Sequence, residues 1–131
     1  MPQWHGNMHK RKKSGGKKHL LRGKRAFEMG SDPAETIVGE PRVVKKRGRG
    51  HNIKLRALSV NAVNVTDPDT GQSQKTEIRS VVKNPANVDY QRRGVITKGA
   101  TVDTPLGEAL VTSRPGQHGI INAVLIKGTT K

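Results

Sequence analysis

In 131 residues the chain carries 25 Lys and Arg against 10 Asp and Glu, a net charge of +15, with one Phe, one Tyr, one Trp and no Cys. So few rings exclude a core or binding face built on aromatics, and the missing thiols exclude disulfide frameworks and thiolate metal sites. Leu, Ile, Val and Phe make up about one-fifth of the residues, near the level below which a highly charged chain stays unfolded, so one core spread through the whole length is excluded.

The average conceals two materials. Residues 1–50 hold 14 basic and 4 acidic side chains, a net charge of +10, and few apolar ones. Up to Gly30 the sequence is Lys and Arg punctuated by glycine, with Glu28 the single acid. Like-charge repulsion and glycine entropy oppose an autonomous helix here. Ordering some 30 residues costs on the order of 1–2 kcal/mol of backbone entropy each. Leu20, Leu21 and Phe27 cannot offset that, so residues 1–35 are expected to be disordered when free and ordered by a polyanion.

Ser31-Asp32-Pro33 signals a turn, and short β-branched runs follow at Thr36-Ile37-Val38 and Arg42-Val43-Val44. Lys45 to Gly50 is a second basic knot. Its alternation of Arg and Gly predicts a backbone nest that turns successive N–H groups toward an anion, with Arg47 and Arg49 as bidentate phosphate donors. From Ile53 onward the pattern reads as strands. Ile53 to Ala57 alternates with period two, and the apolar phase then slips at Leu58–Ala62 and at Val63–Val65, as at bulges or barrel corners. Asp67-Pro68-Asp69-Thr70-Gly71 predicts a hairpin turn. Further strands are expected over Thr76–Lys83, Val95–Asp103, Glu108–Ser113 and Ile120–Lys127, separated by turns at Asn84–Asn87, Pro105–Gly107 and Arg114–Gln117. The expected fold is all-β: a small antiparallel β-barrel of about six strands over residues 36–131, with a long, basic, irregular N-terminal extension over residues 1–35.

Catalytic and metal motifs fail one by one. Gly48-Arg49-Gly50 opens like a dinucleotide fingerprint, but Ile53 stands where the third glycine belongs and a strand follows. Gly23-Lys24 lacks the Ser or Thr of a P-loop. Ser14-Gly15-Gly16-Lys17 has nucleophile spacing, but a lysine in a glycine-rich cationic segment cannot be buried to depress its pKa. His5 and His9 have the spacing of two ligands on a helix, but no cysteine completes a structural site, and they read as solvated or phosphate-facing. The carboxylates are scattered among bases, with no isolated pair for acid–base work. The pattern predicts no enzyme.

The cationic signal is collective and points to nucleic acid. Trp4, Phe27 and Tyr90 lie on separate segments and do not form a stacking platform, although Trp4 has the means to stack on one unpaired base. No recognition helix suited to a DNA major groove is evident. Contacts are therefore expected at phosphate and sugar, with selectivity arising from the shape of a folded RNA. A chromatin-like protein binding DNA without sequence preference is the alternative that shares the charge.

Particular residues narrow this further. Arg11-Lys12-Lys13-Ser14-Gly15-Gly16 and Arg22-Gly23-Lys24-Arg25-Ala26-Phe27-Glu28-Met29-Gly30 resemble the signature of small-subunit ribosomal protein eight of the archaeal and eukaryotic type. Asp32-Pro33-Ala34-Glu35-Thr36, the Arg47–Gly50 knot, Asn52-x-Lys54-x-Arg56-Ala57-Leu58 and Thr112-Ser113-Arg114-Pro115-Gly116-Gln117 also resemble that family. Phe27 departs from it, standing where a basic residue is expected, and the length resembles archaeal members. The resemblance implies a structural component of the small ribosomal subunit, with the β-barrel on the subunit body and the extension threaded among RNA helices. Extended at about 3.3–3.6 Å per residue, 30 residues reach on the order of 100 Å.

On this reading the RNA-binding residues are Lys10, Arg11, Lys12, Lys13, Ser14, Gly15, Gly16, Lys17, Lys18, Arg22, Lys24 and Arg25 in the extension. On the barrel they are Arg42, Lys45, Lys46, Arg47, Arg49, Asn52, Lys54, Arg56, Arg92, Arg93 and Arg114, with Gln117 a further candidate for sugar or base edges. The expected partners are small-subunit ribosomal RNA and neighbouring small-subunit proteins, with the chain a monomer in the ribosome. No cofactor is expected beyond magnesium shared with RNA phosphates. The short apolar runs predict neither a membrane span nor a secretory leader, and so a cytoplasmic location.

Overall fold

The structure, a computed structural model, describes residues 3, 4 and 6–126. The chain divides into two compact units, Met1–Pro33 and Ala34–Lys131. In the first, glycine spacing and charge leave little regular structure. Strand β1 (Gln3–Trp4) pairs antiparallel with β2 (Met29–Gly30), Trp4 opposite Met29. Single 3-10 turns cover Asn7–His9 and Ala26–Glu28.

The second unit begins with β3 (Ile37–Val38), β4 (Arg42–Arg47) and β5 (Ile53–Val60), a three-stranded sheet in the order β3-β5-β4. Through Asn61 the chain passes from β5 into β6 (Ala62–Thr66) of a second sheet. The slips of apolar phase mark this change of sheet: Ala57 is buried from β5, and Val63 and Val65 from β6. The Asp67–Gly71 turn forms as its chemistry predicts. Asp67 accepts the Asp69 N–H at 3.1 Å and the Thr70 hydroxyl at 3.0 Å, while Gly71 N–H donates to Asp67 O at 2.9 Å. It leads antiparallel into β7 (Ser73–Glu77). The remaining elements are β8 (Ser80–Lys83), α1 (Val88–Arg92), β9 (Thr101–Thr104), β10 (Gly107–Val111), α2 (Pro115–His118) and β11 (Asn122–Leu125).

The second sheet has the order β7-β6-β11-β10-β9-β8. Its two edge strands are one bent run of chain. Between them Ile78 N–H donates to Asn61 O at 2.9 Å, on the β6 side, and Arg79 N–H to Asp103 O at 3.0 Å, on the β9 side. Edges that lie on consecutive residues force the sheet to curl into a half-barrel. Inside the curl Val63, Val65, Ile78, Ile96, Val102, Ala109, Val111, Ile121 and Ala123 form the core, flanked by Val38, Val60, Val81 and Leu125. It contains no ring.

Several local expectations need correction. The ladders are not all antiparallel: β11 runs parallel to β6, and β3 parallel to β5. Neither pair is joined by a hairpin, so no tight turn dictates their direction. The strand expected over Thr76–Lys83 breaks at Ile78–Arg79, where the ladder changes partner. The strand expected from Val95 starts only at Thr101, because Ile96 N–H is taken by Thr36 O at 2.7 Å and Val95 O by the Asn84 side chain at 2.8 Å. Two segments outside the expected strands are helical. Asn87 caps α1 by accepting the Asp89 N–H at 2.9 Å. Pro115 starts α2, and Gly119 ends it at φ 75. A Cβ on Gly119 would stand 2.6 Å from Leu55 Cβ, so the residue that stops the helix also lets it lie against β5. The last expected strand ends within the described residues at Leu125; Lys127 lies outside them, as does His5.

Candidate nucleic-acid interface

Seven of the 16 Lys and Arg of the second unit lie on the β4–β5 ribbon and its turn. All of β4 is exposed, Arg42 to Arg47. Cross-strand partners are Val43 with Ala57, Val44 with Arg56, Lys45 with Leu55, Lys46 with Lys54 and Arg47 with Ile53. Directly opposed residues of an antiparallel pair share a face. One face therefore carries Lys46 opposite Lys54, with Arg56 beside them. The other alternates cations with apolar side chains: Lys45 against Leu55, and Arg47 against Ile53. A like-charged pair directly across a ladder destabilises it by roughly 0.2–1 kcal/mol.

The nest expected at Arg47–Gly50 takes another form. Pairing persists to Arg47 and Ile53, so Gly48 to Asn52 alone must reverse the chain. The reversal uses the amides at both its ends: Gly48 N–H donates to Asn52 O at 2.6 Å, and Asn52 N–H to Arg49 O at 3.4 Å. Those two N–H groups are spent inside the turn. Asn52 Nδ2 donates to Arg49 O at 3.0 Å, so this side chain braces the turn. Gly50 and His51 both take left-handed backbone, φ 68 and φ 61. For a non-glycine residue such as His51 this is uncommon. An open hollow of about 400 Å³ lies at this tip, lined by Lys45, Arg47, His51 and Ile53. Lys45 and Arg47 are legible as candidates from the sequence; His51 and Ile53 are not. Counting residues outward from the Gly48–Asn52 reversal is the signal that places Ile53 across from Arg47.

In the first unit the candidate residues are almost all exposed, Lys18 being half-buried. Ser14-Gly15-Gly16 is a tight turn: Gly15 N–H donates to Lys12 O and Lys12 N–H to Gly16 O, each at 3.0 Å, with Gly15 at φ 82. Arg11 Nη1 donates to Gly15 O at 2.9 Å. Arg22 clasps Glu28 with two hydrogen bonds, 2.6 and 3.1 Å, and Glu28 also accepts the Arg25 N–H at 3.2 Å. The Arg22 bond and then the Arg25 amide hold the Glu28 carboxyl down at about 2, and the same bond raises Arg22. Lys24 lies 5.9 Å from the Trp4 ring centroid. The Trp4 indole occupies the space a side chain on Gly6 would need.

The remaining candidates are placed differently. Arg93 pairs with Glu35 and lies 5.7 Å from the Tyr90 ring centroid, so its guanidinium is engaged within the chain. Arg92 is 3.9 Å from Asp89, a weak exposed pair. Arg114 precedes α2, its N–H donating to His118 Nδ1 at 3.3 Å, and the Gln117 N–H donates to Arg114 O at 2.9 Å. Among the described residues no three His, Cys, Asp or Glu side chains gather as a metal site, and no helix is long and apolar enough to cross a membrane.

The second unit thus presents a cationic ribbon in its three-stranded sheet, and the first a basic, glycine-spaced segment. Among known families, Ribosomal protein S8e matches residues 5–126. The Small ribosomal subunit protein eS8 of Methanobrevibacter smithii is 54% identical over 113 residues, covering 86% of this chain and 90% of that protein. Its namesakes from Methanocorpusculum labreanum and Sulfurisphaera tokodaii are each 52% identical, covering 89% of this chain and 94% and 92% of their own lengths. The chain belongs to the ribosomal protein S8e family.

Proposed function

We propose that the chain is a structural constituent of the small ribosomal subunit in the cytoplasm, where it neutralises ribosomal RNA phosphates and does no chemistry on them. Family membership supports the setting. The single observation that carries the mode of binding is the Lys46–Lys54 opposition on a wholly exposed β4. Two lysines brought together on an exposed strand pair suit phosphates lying against it. The Lys10–Arg25 segment extends the same chemistry: Lys12, Lys13 and Lys17 gather around the Ser14–Gly16 turn and enter RNA that the β-sheet unit cannot. Arg42, Arg47, Arg49 and Arg56 supply planar donors that match phosphate geometry. Arg93, held by Glu35, contributes stability to the second unit rather than affinity. Neighbouring small-subunit proteins complete the surroundings, and magnesium joins only through RNA phosphates.

Binding that rests on phosphate neutralisation releases counterions. With about 6–10 phosphate contacts, affinity for protein-free small-subunit RNA should fall about 10³–10⁵-fold between 50 and 200 mM salt. Titration by fluorescence anisotropy measures this directly. A flat salt response would overturn the proposal.

A further inference from the structure

The two faces of the β4–β5 ribbon do not ask for the same ligand. One face sets Lys46 against Lys54, with Val44 opposite the half-buried Arg56. On the other face each cation is matched across the ladder by a branched apolar side chain, Arg47 by Ile53 and Lys45 by Leu55. Ile53 is 54% exposed and Leu55 43%, both beside a charged partner. The hollow at the tip is walled mostly by carbon, with Lys45, Arg47 and His51 among its lining residues. A phosphate alone has no use for a carbon wall; a base does.

Size and strain agree with this. About 400 Å³ of open space has room for one nucleotide and far too little for a duplex. His51 adopts φ 61, and a non-glycine residue held in that region costs on the order of 1 kcal/mol, a strain that collects where a side chain must be aimed. His51 is one of the residues that line the hollow. In RNA the bases available to such a site are unpaired, splayed out of the helix and stacked on flat or apolar side chains.

We propose that the hollow formed by Lys45, Arg47, His51 and Ile53 receives a single unpaired nucleotide of the bound RNA, its phosphate on Lys45 and Arg47 and its base against His51 and Ile53. The inference rests on the RNA-binding reading above and goes beyond it, because it makes one part of the interface selective for a bulge.

The test compares two RNA hairpins identical but for one unpaired 2-aminopurine nucleotide in the stem of the first. The full chain should bind the bulged stem about tenfold more tightly than the paired stem, near the low end of what one stacked base contributes. The 2-aminopurine emission should change on binding. Ile53→Ser and His51→Gly, the latter relieving the backbone strain, should each remove the preference and leave paired-stem affinity within about twofold, with circular dichroism reporting that each variant is folded. Arg47→Ala should weaken both complexes. Equal affinity for the two stems, or a preference that survives both tip variants, would overturn the inference while leaving the phosphate reading intact. Salt-insensitive or absent binding of both stems would overturn that reading and this one together.

Discussion

Asn84 is 3% exposed and ties three stretches of backbone together. Its Nδ2 donates to Val95 O at 2.8 Å, and its Oδ1 accepts the Ala86 N–H and the Thr97 hydroxyl, each at 3.0 Å. Removing one partner of a buried hydrogen bond leaves the other unsatisfied, at about 1–3 kcal/mol. Asn84→Ala should therefore destabilise the protein by about 2–4 kcal/mol, read as a lower midpoint in urea unfolding. In the sequence Asn84 is legible as a turn residue before Pro85, but its role as a buried node is not. Val95 and Thr97 are distant partners that only the folded chain brings near. Glu28 makes the other residue-scale case. Its pKa falls from 4.5 to about 2, through the Arg22 hydrogen bond first. A depressed carboxylate stabilises fully above its unfolded pKa, and that contribution is lost as pH falls through the folded one. Between pH 4.5 and about 2 the Arg22–Glu28 clasp, next to Met29 where Trp4 pairs, should open. Trp4 is the single tryptophan, so its emission reports the opening directly. Glu28→Gln should show the opened emission at neutral pH.

At the scale of elements, the β4–β5 ribbon places stability and binding in opposition. Reversing one charge of the Lys46–Lys54 pair turns repulsion into attraction, so Lys54→Glu should raise the free protein's stability by about 0.5 kcal/mol in thermal unfolding. The same variant should bind RNA more weakly and lower the salt slope by about 1–2, since one cation is lost and an anion placed there. A gain in one assay with a loss in the other is the expected pattern. The ribbon also shows what a sequence pattern carries and what it does not. The Asp67–Gly71 hairpin is legible residue by residue, because each side chain closes its own turn. Both flanks of the Gly48–Asn52 reversal are legible as cationic. Register is not legible from β4 itself, where cations occupy both faces, and comes only from the length of the reversal and the alternation over Ile53–Ala57. The parallel ladder between β6 and β11 is likewise hidden, because the residues that select it lie far apart in the chain.

For the molecule as a whole, the division of charge is the organising fact. Residues 1–50 hold +10 of the +15, while the core lies in the curl of the six-stranded sheet. The boundary between compact units falls at Pro33–Ala34. Limited proteolysis of the free chain should cut first within Lys10–Arg25, where basic residues are exposed, and leave a fragment starting near residue 35. Added ribosomal RNA should protect the early sites, and protection without RNA would contradict an extension ordered by its polyanion.

The placement of β11 has a consequence for synthesis. The final described strand lies inside the sheet, between β6 and β10, rather than at an edge. While the chain is being made, β6 and β10 wait with unpaired ladders until Asn122–Leu125 arrives, so the curl cannot close until nearly all described residues have been translated. Lys10–Arg25 emerges long before that. On the proposed reading, a nascent chain offers Lys10–Arg25 to RNA while its own sheet still lacks a middle.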